Sequence, residues 1–213
     1  MPTRLLGLLA KTMILPAMLA AQVFAAALCN EPVPAPTFNA GEKWTWRDER
    51  GAETTTEVVQ VDGGLTQMKE DNGDVTFYDQ DGILQKVLKK NGEVATRPEA
   101  GAYSNIGQKA LDFPLYIGKQ WQWSYNGIPD TLGYVLTYFQ RHEVIACEEV
   151  TTALGKFWAL KIRVVQHAVG IAGSGTYYFW YAPAVKVYVK RQYVLSRYWS
   201  KTRDSELVRY KLK

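Results

Sequence analysis

A chain of 213 residues with 25 Lys and Arg against 21 Asp and Glu carries a net charge of only +4. Two of the basic residues, Arg4 and Lys11, lie in a leader-like segment without acidic residues, so the remainder carries +2, which argues against the clustered basic footprint of a nucleic-acid binder. What remains after such a leader is long enough for one sizeable core that needs no extra staples.

Arg4 and Lys11 precede an apolar run from Thr12 to Phe24, and Ala25-Ala26-Ala27 follows. Basic, apolar, small is the order that export machinery reads, so residues 1–27 are expected to be a cleaved signal peptide and the product periplasmic or secreted. The stretch from Met13 to Leu28 is about 16 residues and is broken by Pro16, short of the roughly 20 that span a bilayer as a helix. Cleavage after Ala27 fits the small-x-small rule, and cleavage after Ala25 fits nearly as well.

Cys29 stands just beyond the cut. A lipid-anchored cysteine wants a small residue directly before it, and here that residue is Leu28, so lipidation is the weaker alternative and membrane association depends on it. The other cysteine, Cys147, offers a disulfide partner in an oxidising compartment. The alternative is one buried thiol and one processed thiol.

Residues 28–40 include EPVPAPTF, whose three prolines specify an extended arm. From there period-two alternation and tight turns dominate, which means strands and hairpins. Trp44 and Trp46 alternate with Thr45 and Arg47, and a β-branched run from Thr54 to Val61 ends at Asp62-Gly63-Gly64. Short strands follow between turns at Asn72-Gly73, Asp81-Gly82 and Asn91-Gly92, pairs that supply the positive backbone angles of hairpins. The pattern lapses over 98–117, a connector between halves 41–97 and 118–213 with room for one short helical turn.

The second half opens on Trp121, Trp123 and Tyr125, with polar Gln120, Gln122 and Ser124 between them. A long or bulged strand runs from Leu132 to Val150, and Lys156–Val169 alternates Trp158, Leu160, Ile162 and Val164 against Lys161 and Arg163. Thr176–Ala182 is apolar on both sides, as a central strand should be. Val185, Val187 and Val189 are expected to face inward on the next strand, and Val208, Tyr210 and Leu212 on the last.

Gly41-Glu-Lys-Trp44-Thr-Trp46 recurs as Gly118-Lys-Gln-Trp121-Gln-Trp123, and Phe77–Ile83 occupies the place in its half that Phe179–Val185 occupies in the other. Two related meanders in tandem are expected. The fold class is therefore all-β, with curved antiparallel sheets or a half-barrel and little helix.

Phe113-Pro114-Leu115 with Gly118 and Trp121, the Gly155-x-Phe157-x-Ala159-x-Lys161-Ile162 stretch, and Trp180-Tyr181-Ala182-Pro183 resemble the pattern of TapB-like exported bacterial proteins of unknown function. The resemblance spans roughly residues 40–212 and implies a curved antiparallel β-domain, but it lends no catalytic residue. The chain departs from that pattern after the Trp-Tyr-x-Pro unit, where Val185-Lys186 stands in place of Gly.

No residue set composes an active site. His142 and His167 are the only histidines, and neither HExxH nor CxxC occurs, so no zinc site is expected. Ala172 stands where a G-x-S-x-G elbow needs Gly, and Lys90 stands where a calcium loop beginning at Asp79 needs Glu. Glu148 and Glu149 are adjacent on a strand and point apart.

The aromatic content remains. Trp and Tyr tolerate half-wet positions at a groove, so Trp121, Trp123, Tyr125, Tyr177, Trp180 and Tyr181 are the candidate ligand-binding residues. The expected role is a cell-envelope binding module for an apolar or amphipathic small molecule or envelope protein, without catalytic residues, metal or cofactor. The alternatives are a structural envelope protein with a filled core, a hydrolase with dispersed carboxylates, and an outer-membrane barrel, whose apolar outer band Lys161, Arg163, Lys186 and Lys190 would interrupt.

Overall fold

The computed structural model describes residues 30–94, 109–127, 136–170, 174–194 and 204–213. The first half is a meander of β1 (Lys43–Asp48), β2 (Glu53–Asp62), β3 (Leu65–Glu70), β4 (Val75–Tyr78) and β5 (Leu84–Leu88). The second is a meander of β6 (Gln120–Gly127), β7 (Leu136–Thr152), β8 (Gly155–Ala168), β9 (Ser174–Ala182) and β10 (Val187–Val194). A last strand, β11 (Ser205–Lys211), pairs antiparallel with both β10 and β1 and so joins the meanders edge to edge. The result is one curved, open, 11-stranded sheet whose edges are β5 and β6.

The tandem similarity is structural. Gly41 N–H donates to Val58 O and Val58 N–H to Glu42 O, and in the second copy Gly118 N–H donates to Val144 O and Val144 N–H to Lys119 O. Both glycines adopt positive φ, +87° and +89°, which a side chain at that position would oppose. Each thereby starts a strand that presents two tryptophans, at positions 44 and 46 and at 121 and 123, on one face.

The C-terminal part of the connector, from Lys109, ties the arm to the first meander. Lys109 makes a bridge to Ile83 beside β5, and Leu115 exchanges two backbone hydrogen bonds with Val33 of the arm (2.7 and 2.8 Å). Val33 and Leu115 are buried, so the Pro-rich arm is part of the core. Most of the connector, 95–108, and the whole leader with Cys29 lie outside the described residues.

Strand β9 feeds two cores, as expected of a central strand. Tyr177 and Tyr181 join Val33, Leu115, Trp121, Val144 and Ile162 in one cluster, and Trp180 and Ala182 join Trp44, Val58, Val189 and Leu207 in the other. A 3-10 turn and a bulge alter the expected strand pattern. Val185 lies in a 3-10 turn, Pro183–Val185, and not on β10. In β11 an irregularity opposite Thr45 and Trp46 places Leu207 fully inside, whereas Tyr210, expected inward, is 45% exposed although it stands opposite buried Trp44.

The outward side carries charge. Lys43–Glu57, Arg47–Glu53–Arg209, Arg163–Glu143 and Lys161–Glu148 are ion pairs on it, and Lys156–Glu149 is an ion pair of the opposite parity. Such a surface is the opposite of the apolar band of a lipid-facing barrel. Among the described residues no helix is long and apolar enough to cross a membrane.

Candidate functional site

Four of the six aromatic residues singled out from sequence converge. Trp121, Trp123 and Tyr125 alternate along one face of β6, opposite His142, Gln140 and Tyr138 of β7. Trp121 stacks on His142 at 4.8 Å, and Trp123, Tyr125 and Tyr138 form a stacked ladder at 4.9 Å per step. Their polar handles find partners: Trp123 Nε1 donates to Gln140 Oε1 (2.9 Å) and His142 Nε2 (2.8 Å), and Tyr125 OH donates to Gln166 Oε1 (3.3 Å).

Tyr177 of β9 is close enough to Tyr125 and Tyr138 for their charges to interact, and it meets Tyr193 edge-on at 5.1 Å. Burial pushes the Tyr125 and Tyr177 phenols well above the usual range and lowers His142 to about 4, so the imidazole is neutral. This end of the concave face is a stacked polar-aromatic network in which the buried Nδ1 of His142 alone lacks a hydrogen-bond partner among these groups.

The other two lie elsewhere. Tyr181 packs edge-on to Phe113 (5.6 Å) and Tyr188 (6.2 Å). Trp180, of opposite parity on β9, sits under the ammonium groups of Lys161 (4.8 Å) and Lys190 (5.6 Å) and donates to Glu148 Oε1 (2.7 Å).

A cavity of about 720 Å³ opens at a different place, where the arm and the connector cross the sheet. Phe38 of the arm, Met68 and Tyr78 of β3 and β4, and Leu111 and Phe113 of the connector wall it, with Thr66, Gln80, Asp62, Asp79 and Lys186 among its polar lining. None of the six sequence candidates lines it. Lys186 was expected on an outer face. It faces inward instead: its Nζ lies 2.6 Å from Glu42 Oε1 and 2.7 Å from Thr37 O. A size of this order falls within the range of small-molecule sites, which are mostly apolar with a few placed polar groups.

Two ionisable groups outside the lining of this cavity, Glu70 and Arg191, are also largely withdrawn from solvent, and sequence reasoning missed them. Thr66, Met68 and Glu70 share one face of β3, and the first two line the cavity. Burial raises the Glu70 carboxyl above its ordinary value despite a hydrogen bond from Thr56 Oγ1 (3.1 Å), and the Arg191 charge acts on it in the opposite direction. Arg191 of β10 lies over the Trp46 ring (5.3 Å) and the Tyr188 ring (5.7 Å), and its buried Nε has no hydrogen-bond partner. Tyr188 OH lies 3.5 Å from the carbonyl of Ala110, another cavity residue.

A second carboxylate for general acid–base work is not free beside Glu70. Asp71 accepts from Thr55 N–H, and Asp74 accepts from Lys90 N–H (2.9 Å) and Asn72 Nδ2 (3.0 Å). Among the described residues there is no group of three His, Cys, Asp or Glu arranged to hold a metal, and no cysteine is free.

No protein-family model matches the chain, and no curated protein matches it in sequence. Solved structures to which it is similar include the hypothetical lipoprotein YmcC of Escherichia coli, at 13% identity and TM-score 0.46, with 91% of this chain and 96% of that chain covered. A Bacteroides fragilis protein with a YmcC-like fold, described as exported, gives 15% identity and TM-score 0.40 over 85% of this chain and 100% of its own. A protein of Parabacteroides distasonis described as a lipoprotein gives 13% identity and TM-score 0.41 over the same shares. At these scores the likenesses carry no functional argument. The TapB-like description has no counterpart in them and rests on the short motifs alone.

Proposed function

We propose that this chain is an extracytoplasmic binding protein, without catalysis of its own, that takes an apolar or amphipathic small molecule into the cavity between its arm, its connector and the concave sheet. The observation that carries this reading is the cavity itself, about 720 Å³ beside otherwise filled aromatic packing. A purely structural sheet has no use for such a space, whose walls lose dispersion contacts. The hydrolase alternative is weakened because the acidic neighbours of Glu70 are engaged in turn hydrogen bonds.

The leader sequence supports export, and the arm supports a tether. Pairing of Cys29 with Cys147 would hold the arm against the middle of the sheet and contribute up to roughly 4–5 kcal/mol by the loop-entropy model. Of the six aromatic residues from Trp121 to Tyr181, Tyr181 supports the cavity wall from behind, through Phe113.

Mass spectrometry of the protein purified from the bacterial envelope without detergent tests the reading. A mature start near residue 28, a mass two hydrogen atoms below that of the reduced chain, and a co-purifying amphiphile are the expected results. Absence of any co-purified molecule, together with no uptake of added dodecanol, contradicts it.

A further inference from the structure

We propose that the amphiphile taken into the cavity carries an organic cation, an amine or quaternary ammonium head held by Asp62, Asp79 and the aromatic lining. The assignment rests on the binding role proposed above and adds the charge of the ligand's polar end.

The two carboxylates belong to one end of the cavity. Asp62 ends β2 and Asp79 directly follows Tyr78, the last residue of β4, so both stand at the same end of the first meander, and both line the space. The Gln80 side chain lies against Gly64, which brings the two turns together.

The charges of the lining are unequally compensated. Lys186 is its one cation among the described residues, and Glu42 already matches it at 2.6 Å. Asp79 is held by neutral donors alone: Oδ1 accepts from the N–H of Asp81 (3.0 Å) and of Ile83 (2.9 Å), and Oδ2 accepts from Gln85 Nε2 (2.6 Å). Asp62 makes no ion pair and no side-chain hydrogen bond among the described residues. Lys109 is near enough to Asp79 and Asp81 for their charges to interact, but its ion pair is with Asp112. Negative charge is left at this end that no lining cation offsets.

The walls suit a cation with an apolar tail. Phe38, Tyr78 and Phe113 supply aromatic rings, the groups that attract an ammonium beyond simple charge, and Met68 and Leu111 supply aliphatic surface for a chain. A carboxylate head would meet Asp62 and Asp79 as like charges, and an alcohol would gain nothing from them. The chain beyond its leader is itself +2, so unspecific attraction favours an anion, and a preference for the cation reports the cavity.

Calorimetric titration of the purified full chain with dodecyltrimethylammonium, dodecanol and laurate, each below its micellar concentration, tests this. The cationic amphiphile is expected to bind about tenfold more tightly than dodecanol at low salt, with laurate weaker than either. High salt should narrow the difference. Asp62→Asn, at an exposed position that holds no contact, should cut the preference about threefold and leave dodecanol binding unchanged. Asp62→Asn with Asp79→Asn should cut it further, the asparagine at 79 keeping an acceptor for its turn. Equal binding of cation and alcohol to the native protein, or a preference undiminished in Asp62→Asn, overturns the head-group assignment alone. Binding of none of the three removes the proposed function as well.

Discussion

Lys186 Nζ lies 2.6 Å from Oε1 of Glu42, whose side chain is fully buried. The pair joins the start of β1 to the corner between β9 and β10, and the backbone N–H of Lys213 completes it at 3.4 Å. Burial alone would raise the Glu42 carboxyl, but hydrogen bonds from Lys186, Asn39 and Lys213 outweigh it and hold the group below its ordinary value. Lys186 accepts a left-handed backbone, φ +66°, to make this contact.

Lys186→Met is expected to leave a buried carboxylate without its cation and to cost about 3 kcal/mol, in the range for broken buried pairs. The double variant Glu42→Gln with Lys186→Met should recover a large part of the loss. Urea unfolding of the four proteins of this cycle measures the coupling, and additive losses would show that the two side chains act independently.

His142 carries a pH dependence. Its folded-state value, about 4, lies below the ordinary 6.5, because burial disfavours the imidazolium. The unfolded chain therefore takes up a proton that the folded chain refuses, and stability falls as pH drops through 6.5 toward 4. About 2 kcal/mol should be lost between pH 7 and pH 5 from this group. In His142→Gln the loss over that interval should shrink correspondingly. Unfolding curves at the two pH values decide it, and an equal decline in both proteins would count against the buried neutral histidine.

Glu70 has the reverse sign. Its value is raised, first by burial, so its contribution is intact below the unfolded carboxylate value and is lost as pH rises through the folded one. Glu70→Gln is expected to melt at a higher temperature than the native protein at pH 8 and at the same temperature at pH 4. A Tm difference that is independent of pH would mean the carboxyl is not the source.

The repeat makes a prediction about backbone. Gly41 and Gly118 hold the same turn in the two meanders, so Gly118→Ala should destabilise by about 1 kcal/mol or more through strain at positive φ. An added methyl at Gly118 meets no atom within 4 Å. A neutral result in thermal unfolding would therefore remove the conformational argument, since steric clash is not in play.

Much of the fold was legible because it is local. Asn-Gly and Asp-Gly pairs marked the hairpins of the first meander, and the Gly-x-x-Trp-x-Trp units marked the two strands that begin the meanders. Parity also separates Trp180 from Tyr177 and Tyr181 on β9, so grouping all three in one site ran against the period of a strand. Tyr210 stands opposite buried Trp44 and is still 45% exposed, because what covers a face depends on the segments packed over it and not on strand parity.

The cavity was not legible. Its walls come from the arm, two hairpin turns and the connector, segments without periodicity whose meeting depends on contacts such as Val33 with Leu115 and Lys109 with Ile83. Arg191, on β10, lies over the Trp46 ring of β1, two strands away, a contact that no local pattern in the sequence signals.

The most direct test of a ligand-binding cavity is to fill it. Met68→Trp places an indole where Met68 now lines the space, and Nile red, a neutral probe that fluoresces in apolar surroundings, reports what is left. Saturable one-to-one binding by the native protein, lost in Met68→Trp while Tm and far-UV circular dichroism hold, is the expected result. Unchanged binding in the filled variant, or none in the native protein, contradicts the account.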